Sequence, residues 1–509
     1  MAESFSNIVG KNHVISDSVA LKTAETTTFA TTQTIKAIVK PGDVQQIQAC
    51  VKLAKQQNVS LYPISCGKNW GLGSKVPVQT DNVVLDLSRL NQISNYNEEL
   101  GYFTVEPGVT FQQAYQFLLD RKSPFFSPVI GGSPQASLIG NMLERGDRIG
   151  PNLDKISGMS ELEVVLANGQ IIHTGLGHFQ NSQATGADAW GVGPHVNGIF
   201  TQSNLGIVTK MTLHLTRKPN FFKSIYFMVD DQKKLPDLIK NIRLLIQEGA
   251  IANNTLSLWN SYKILAKMGK FPTEIIKQRM KQNPLGTIKS GLSLVLKDIT
   301  GKEPWHGSCY IHAASEAIGE ATQQHIQSRL AKVTDQLQFS YLNESDMKGD
   351  GLLLGEPQSD NIASLYWRKK GKLPETFDPD RDRCGAIWCC PGIPFIGDHV
   401  TKVIEHSEAM IKRYKFEPNL GFFAVTSRLL YLFIAIVYDR ELENEDIKAM
   451  QCHDELLESL QKMGYFPYRL GVQSMNALPD AIDDYDDFLK QLKTALDPNN
   501  VISPGRYTK

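Results

Sequence analysis

One stretch constrains the fold of this 509-residue chain more than any other: residues 37–74, a strand–helix–strand unit that runs into a loop built around three glycines. Residues 37–39 read as a short strand, and Pro41 and Gly42 break it. Asp43 is placed to cap a helix on which Val44, Ile47, Val51 and Ala54 fall on one face. Residues 61–64 form a second strand, giving a βαβ-like opening. The segment CGKNWGLGS follows, with Gly67, Gly71 and Gly73 and no helical pattern after it. Glycines let a backbone approach a ligand closely and let successive N–H groups turn inward around an anion, which suits a pyrophosphate. The loop is not a P-loop, since GxxxxGK[ST] is absent, and it does not continue as GxGxxG. Taken alone, a glycine trio also reads as an ordinary tight loop.

Further strands are expected at 83–87 and 101–108, with a helix from about Thr110. A Gly-Gly turn at Gly131 leads into a short helix through Ser137, Gly140 and Asn141. That turn is a second candidate anion site, because a helix N-terminus presents free N–H groups. Residues 161–175 read as a hairpin turning at Asn168-Gly169, and 206–215 as another alternating strand. Beyond Lys218-Pro219 the character changes, and amphipathic helices near 235–249 and 316–337 mix with strands. The expected organisation is a first domain over 1–217, a second over 218–464, and a segment 465–509 that returns to the first. The longest apolar run, LLYLFIAIVY at 429–438, is too short for a bilayer span of about 20 residues and reads as a buried strand.

Hydrophobic residues at 41% and charged residues at 21% describe a folded chain, and its length suggests roughly two to four domains. Lys plus Arg and Asp plus Glu are each 53, so neither the basic excess of a nucleic-acid binder nor a general attraction to acidic membranes is present. The seven cysteines are odd in number and lack zinc-finger spacing, which points to a reduced, cytoplasmic setting without a metal site. Cys389 and Cys390 are adjacent in an expected strand, so they face opposite ways and make a poor chelate. The N-terminus has neither a basic start nor an apolar core, and no secretory signal is expected.

The motifs ISCGKNWGLGS, VVLDLSRLN, VEPGVTF, GN-x-x-ERG, MSELEVVLANG, VNGIFTQSNLGIVTKM and DPNNVISPGR occur in that order. Together they resemble the flavin-binding domain of the vanillyl-alcohol oxidase and p-cresol methylhydroxylase family, over roughly 35–215 and again at the C-terminus. The middle of the chain resembles that family's cap domain in organisation only. The resemblance implies an α+β flavoprotein, with a two-part FAD-binding domain and a cap domain built on an antiparallel sheet. It implies a pyrophosphate loop of Ser65, Gly67, Lys68, Asn69, Trp70, Gly71, Gly73 and Ser74, and a second phosphate-facing turn at Gly131, Ser137, Gly140 and Asn141. Gly206, Ile207 and Val208 would pack along the adenine and ribose. Arg506 would place positive charge near the flavin, where it stabilises the reduced anion. Asp154 falls where the family puts a carboxylate beside flavin N5, and Tyr468 and Arg469 match its phenolate-holding pair.

Two departures matter. The phenol oxidases carry a tyrosine where this chain has Leu72, so one hydroxyl of the phenolate clamp is missing, and the pocket is expected to hold either a more apolar substrate or a polar group held by Tyr468 and Arg469 only. The relatives' flavin-anchoring His or Tyr has no counterpart in CGAIWCCPG, where Ile387 and Trp388 stand in the substrate pocket region. The expected activity is FAD-dependent oxidation of a small organic substrate, with an alcohol, benzylic or activated C–H bond giving up a hydride. Oxygen and a protein electron acceptor both stay open as the final oxidant, and a homodimer is expected because relatives commonly form one. The competing readings are a flavin-binding subunit without turnover and a redox-neutral rearrangement. Because no His or Tyr anchor is present, acid precipitation of the purified yellow protein is expected to release FAD to the supernatant. Colour kept in the pellet would point instead to a link through Cys389, Cys390 or another anchor.

Overall fold

The computed structural model describes residues 1–147, 150, 157–267, 303–341, 354–370 and 372–508. The first sheet has four strands in the order Val14–Ile15, Ile35–Val39, Asn82–Asp86, Leu61–Ile64. The two strands of the βαβ-like unit are therefore not neighbours. Asn82–Asp86 lies between them and pairs parallel with both. Its apolar run Val83, Val84 and Leu85 is buried on both sides, which is what a central parallel strand requires. The helix Val44–Gln56 crosses this sheet as its cap predicts: Asp43 accepts from the Gln46 amide at 2.7 Å, and Ile47, Cys50, Val51 and Ala54 are buried.

The second sheet is antiparallel, in the order Ile93–Asn97, Tyr102–Val105, Ile207–His214, Met159–Val165, Ile171–His173. The Asn168-Gly169 turn closes the last hairpin, with Gly169 at φ +81°. The short helix Leu138–Leu143 is capped by Ser137, whose hydroxyl accepts from the Gly140 amide at 3.0 Å.

Strands from the middle of the chain build an eight-stranded antiparallel sheet. Its main path runs Gln336–Tyr341, Phe221–Val229, Trp305–Ala313, Ser257–Asn260, Asn419–Ala424, Leu429–Asp439, Cys384–Cys389. The apolar run read as a buried strand is the long strand Leu429–Asp439 near one edge of that path. Strand alternation gives the sheet two different faces. Leu430, Leu432, Ile434, Ile436, Ile387, Cys389, Leu420 and Phe422 point into the principal core. The helices Leu235–Gln247, Gly397–Arg413 and Glu445–Lys462 supply much of the rest of it. Each fully buried Leu or Ile contributes roughly 1.5–3 kcal/mol to that packing. The opposite parity turns Trp388, Phe423, Phe433 and Trp259 toward a cavity.

The C-terminal segment returns to the first sheet. Ile502 bridges Leu61 in parallel, and the Leu61 amide donates to Val501 O at 2.7 Å. The segment is held by a buried ion pair, Lys493 Nζ to Asp497 Oδ2 at 2.6 Å. The same ammonium donates to the carbonyls of Asn204 and Ile502, and the Asp497 carboxylate accepts from the amides of Val501 and Ile502. Breaking a buried pair leaves its partner charge uncompensated. Asp497→Ala is therefore expected to lower stability by about 3–5 kcal/mol, read as a shifted denaturant midpoint at unchanged slope.

Candidate functional site

A cavity of about 370 Å³ is enclosed by the glycine-rich loop, the Gly131 turn, the Leu138–Leu143 helix, the second face of the large sheet and the C-terminal segment. It brings together Ser65, Gly67, Lys68, Asn69, Trp70, Leu72, Ser74, Gly131, Ser137, Gly140, Asn141, Trp388, Tyr468, Arg469 and Arg506. Gly71 and Gly73 belong to the same loop but do not line the cavity; they let the loop pass between neighbours. A Cβ on Gly71, at φ +79°, would sit 2.2 Å from Trp388 Cδ1, and one on Gly73 would sit 2.5 Å from Val472 Cγ2. Gly206, Ile207 and Val208 lie away from the cavity. Ile207 and Val208 open a strand of the second sheet, with Ile207 packed toward the first sheet's core and Val208 into the second's. Ile387 is fully buried in the large core, one residue out of phase with Trp388. Asp154 lies outside the described residues.

The loop has the features of an anion cradle. Among the described residues, no acceptor meets the backbone N–H of Gly67, Lys68, Asn69 or Trp70, whereas the Gly71 amide donates to Thr28 Oγ1 at 2.8 Å. Asn141 Oδ1, across the cavity, is buried and has no hydrogen-bond partner among the described residues. Gly140 keeps the opposite wall thin, since a Cβ there would sit 2.9 Å from Ser65 Oγ. Unpaired successive amides are costly to bury and suit a phosphate oxygen. The residues present therefore fit the diphosphate of FAD.

Deeper in the cavity, Arg506 donates to Glu144 Oε1 and to the Tyr62 hydroxyl, both at 2.6 Å. Burial pushes the Glu144 carboxyl up, but Arg506 and Arg469, with hydrogen bonds from Arg506 and Tyr507, outweigh it and hold the group below its ordinary range. Arg506 is thus matched by a carboxylate. Arg469 is tied to Asn69 Oδ1 at 2.5 Å, and its buried Nε has no partner among the described residues. Tyr468 stacks on Tyr431 with ring centroids 3.8 Å apart, and burial holds its hydroxyl well above the ordinary tyrosine value, so it is a neutral donor.

Sequence reasoning missed several members. Glu144 stood inside the GN-x-x-ERG motif without being assigned a role. Trp259 and Lys263 gave no local signal, and neither did the acidic loop at 378–382 that clamps the glycine loop. In that loop, Asp378 pairs with Lys68 at 3.1 Å, and Asp380 accepts from Trp70 Nε1 at 3.2 Å and Ser74 Oγ at 3.0 Å.

A diphosphate cradle beside an aromatic, cation-bearing chamber suits a flavin-dependent oxidoreductase, and comparison with known proteins places the chain in that class. Residues 35–175 match the model of an FAD binding domain. The chain is 39% identical to the 1'-carboxy-chondrochloren decarboxylase of Chondromyces crocatus, over 99% of this chain and 96% of that protein. It is 29% identical to the 4-cresol dehydrogenase [hydroxylating] flavoprotein subunit of Pseudomonas putida, over 92% and 87% of the two chains. Its fold matches p-cresol methylhydroxylase with substrate bound at a TM-score of 0.85, with 24% identity and 99% and 96% of the chains covered. The chain belongs to the p-cresol methylhydroxylase-type family of FAD-linked oxidoreductases. Among the described residues, no helix is long and apolar enough to cross a membrane.

Asp380 makes the clamp sensitive to pH. Burial pushes its carboxyl from 3.8 up to about 7, against the Ser74 hydrogen bond, Lys75 and Lys68 and with help from Asp378. An unfolded carboxyl ionises near 3.8 while the folded one holds its proton, so stability drains away as pH rises from about 4 to about 7. Asp380→Asn is expected to raise the melting temperature at pH 8 and to flatten its decline between pH 4 and pH 7.

Proposed function

We propose that the chain oxidises the side chain of a small aromatic substrate seated between Trp259, Trp388, Phe423 and Phe433, with FAD held noncovalently. The observation that carries this reading is the meeting, in one cavity, of the unpaired glycine-loop amides with these aromatic walls and the Tyr468–Arg469 pair. Gly67, Lys68, Asn69 and Trp70 would hold the diphosphate, with Ser137, Gly140 and Asn141 opposite. When bound there, FAD supplies the two-electron acceptor for a substrate hydride. Tyr468 would donate to an oxygen on the aromatic ring, and Arg469 would stabilise negative charge developing on it. Leu72 offers that oxygen no third partner. Asp154 is the further candidate for handling a proton near the reacting carbon.

A second reading is favoured by the 39% identity to a decarboxylase over 99% of the chain. A substrate ArCH2–CH2–COO⁻ that loses a benzylic hydride and CO2 leaves ArCH=CH2. The electron pair of the broken C–C bond becomes the new π bond, and charge balances through the hydride. The same pocket serves both outcomes; what differs is whether a carboxylate stands one carbon beyond the oxidised position. The redox-neutral alternative has no observation in its favour. For the final acceptor, the name of the Pseudomonas putida relative, a flavoprotein subunit, supports an electron-acceptor protein. The seven unpaired cysteines support a reducing, cytoplasmic setting, and a homodimer stays the expected assembly.

Anaerobic mixing with alkylphenols, aryl alcohols and arylalkanoates tests the reading. At least one class is expected to bleach the flavin band, and Tyr468→Phe is expected to slow that bleaching by ~10²-fold. Release of CO2 with an aryl alkene identifies the decarboxylating outcome. Failure of every class to bleach the flavin would overturn the oxidoreductase reading of this pocket.

A further inference from the structure

The helix Ser261–Lys267 sits at the chamber end of the cavity, and its start is fixed by the fully buried Asn260. Asn260 Oδ1 accepts from the amides of Lys263 and Leu420, and its Nδ2 donates to Pro418 O at 2.7 Å. Leu265 and Ala266 pack against Trp367, Ala435 and Val437. Lys263 and Lys267, one turn apart, both line the cavity. Lys263 Nζ lies 5.7 Å from the Trp259 ring and 5.4 Å from the Trp388 ring, and Lys267 Nζ lies 5.5 Å from Trp259.

These two ammonium groups differ from the other cations of the cavity. Lys68 is paired with Asp378, Arg506 with Glu144, and Arg469 bonds Asn69. Among the described residues, no carboxylate lies within ion-pair distance of Lys263 or Lys267, and Lys263 has only the amide oxygen of Asn419 at 3.4 Å. An ammonium set among aromatic walls has lost much of its hydration, and the ring faces replace only part of it, so an anion that joins it is favoured. A ligand anion in that low-dielectric chamber would be held far more strongly than in water. The diphosphate cradle is built by the glycine loop, so this second cationic site needs an anion of its own, attached to something aromatic enough to fill the walls.

We propose that Lys263, seconded by Lys267, anchors a carboxylate of the substrate, so that this enzyme acts on arylalkanoates. The proposal rests on the flavin-oxidoreductase reading and narrows its substrate class. Burial brings the Lys263 ammonium down from 10.5 to about 8. Cys390 from beyond the edge strand and Asp147 from beyond the Leu138–Leu143 helix act in the opposite sense, and Lys267 shares its own helix. The side chain is therefore charged below about pH 8, which is where a carboxylate would be held.

The test uses the purified holoenzyme and three probes: 3-(4-hydroxyphenyl)propanoate, its primary amide, and 3-phenylpropanoate. Binding is read from the flavin difference spectrum and from tryptophan fluorescence, to which Trp259 and Trp388 contribute. The acid is expected to bind about 10- to 100-fold more tightly than its amide below pH 8, and the preference is expected to fade above it. Lys263→Met is expected to abolish the preference and Lys263→Arg to keep most of it, which separates loss of the ammonium from loss of the fold. A preference that survives Lys263→Met, or that no acid shows, overturns the anchor. So does a Lys263 dependence seen with the phenolic amide but not with 3-phenylpropanoate, which would mark a phenolate site. Acid-selective binding without flavin bleaching by these probes, by alkylphenols or by aryl alcohols keeps the anchor and removes the oxidase reading. Equal bleaching by acid and amide in both wild type and Lys263→Met keeps the oxidase and removes the anchor.

Discussion

The architecture depends on one crowded passage, where the backbone at Gly71 runs against Cδ1 and Nε1 of the Trp388 ring. The contact leaves no room for a side chain, and it is locked by hydrogen bonds rather than by packing alone. Thr28 Oγ1 accepts from the Gly71 amide and donates to Ala386 O at 2.9 Å, while the Ala386 amide donates back to Thr28 O at 2.9 Å. The Trp388 amide donates to Gly71 O at 3.3 Å, and the Val472 amide to Leu72 O at 3.0 Å. An N-terminal segment, the glycine loop, an edge strand of the large sheet and the C-terminal segment are thus sewn at one point. The cavity exists because these four pieces cannot move independently.

From that point, parity organises the chamber. Once the Trp388 ring is set against the glycine loop, the alternation of Cys384–Cys389 sends Ile387 and Cys389 into the core. Antiparallel pairing carries the same alternation across Leu429–Asp439 and Asn419–Ala424. Core-facing Leu432 and Phe422 are registered partners, while Phe423 is registered with Tyr431 on the chamber side, and Tyr431 in turn supports Tyr468. A one-residue slip in any of these strands would exchange aromatic walls for aliphatic core. Stability of the core and shape of the chamber are therefore the same constraint seen from two faces.

What was legible in the sequence is what is encoded locally. Asp43, the Asn168-Gly169 turn, the glycine loop and the apolar run at 429–438 each declare their structure within a few residues, because capping, turn chemistry and alternation are short-range effects. The βαβ-like opening was only half legible. The helix was clear, but nothing local says that Asn82–Asp86 inserts between its strands. Trp388 was placed in the chamber by the resemblance; Ile387 was grouped with it although strand alternation sends the two to opposite faces. Asp380 and Lys263 were illegible for a different reason. Asp380 lies 306 residues from Ser74 and Lys263 lies 156 residues from Asn419, and a charged residue in an unremarkable segment announces nothing until tertiary contacts remove its water.

That removal of water also explains why a chain with no net charge has so uneven a cavity. Among the described lining residues, five cationic side chains face two carboxylates. Self-contained pairs, such as Arg506 with Glu144, add rigidity without leaving net charge, because each partner satisfies the other in a dry setting. Arg469 is different, with one hydrogen bond to a neutral amide and a buried nitrogen left over, and Lys263 is further along the same series. Unmatched cations raise the energy of the empty protein, and that cost is recovered when anions arrive. The distribution therefore divides the cavity by what it expects from a ligand. Where charges are already matched, the wall is scaffold; where they are not, the ligand completes the protein's own electrostatics, and the order of that mismatch runs from the glycine-loop amides through Arg469 to Lys263.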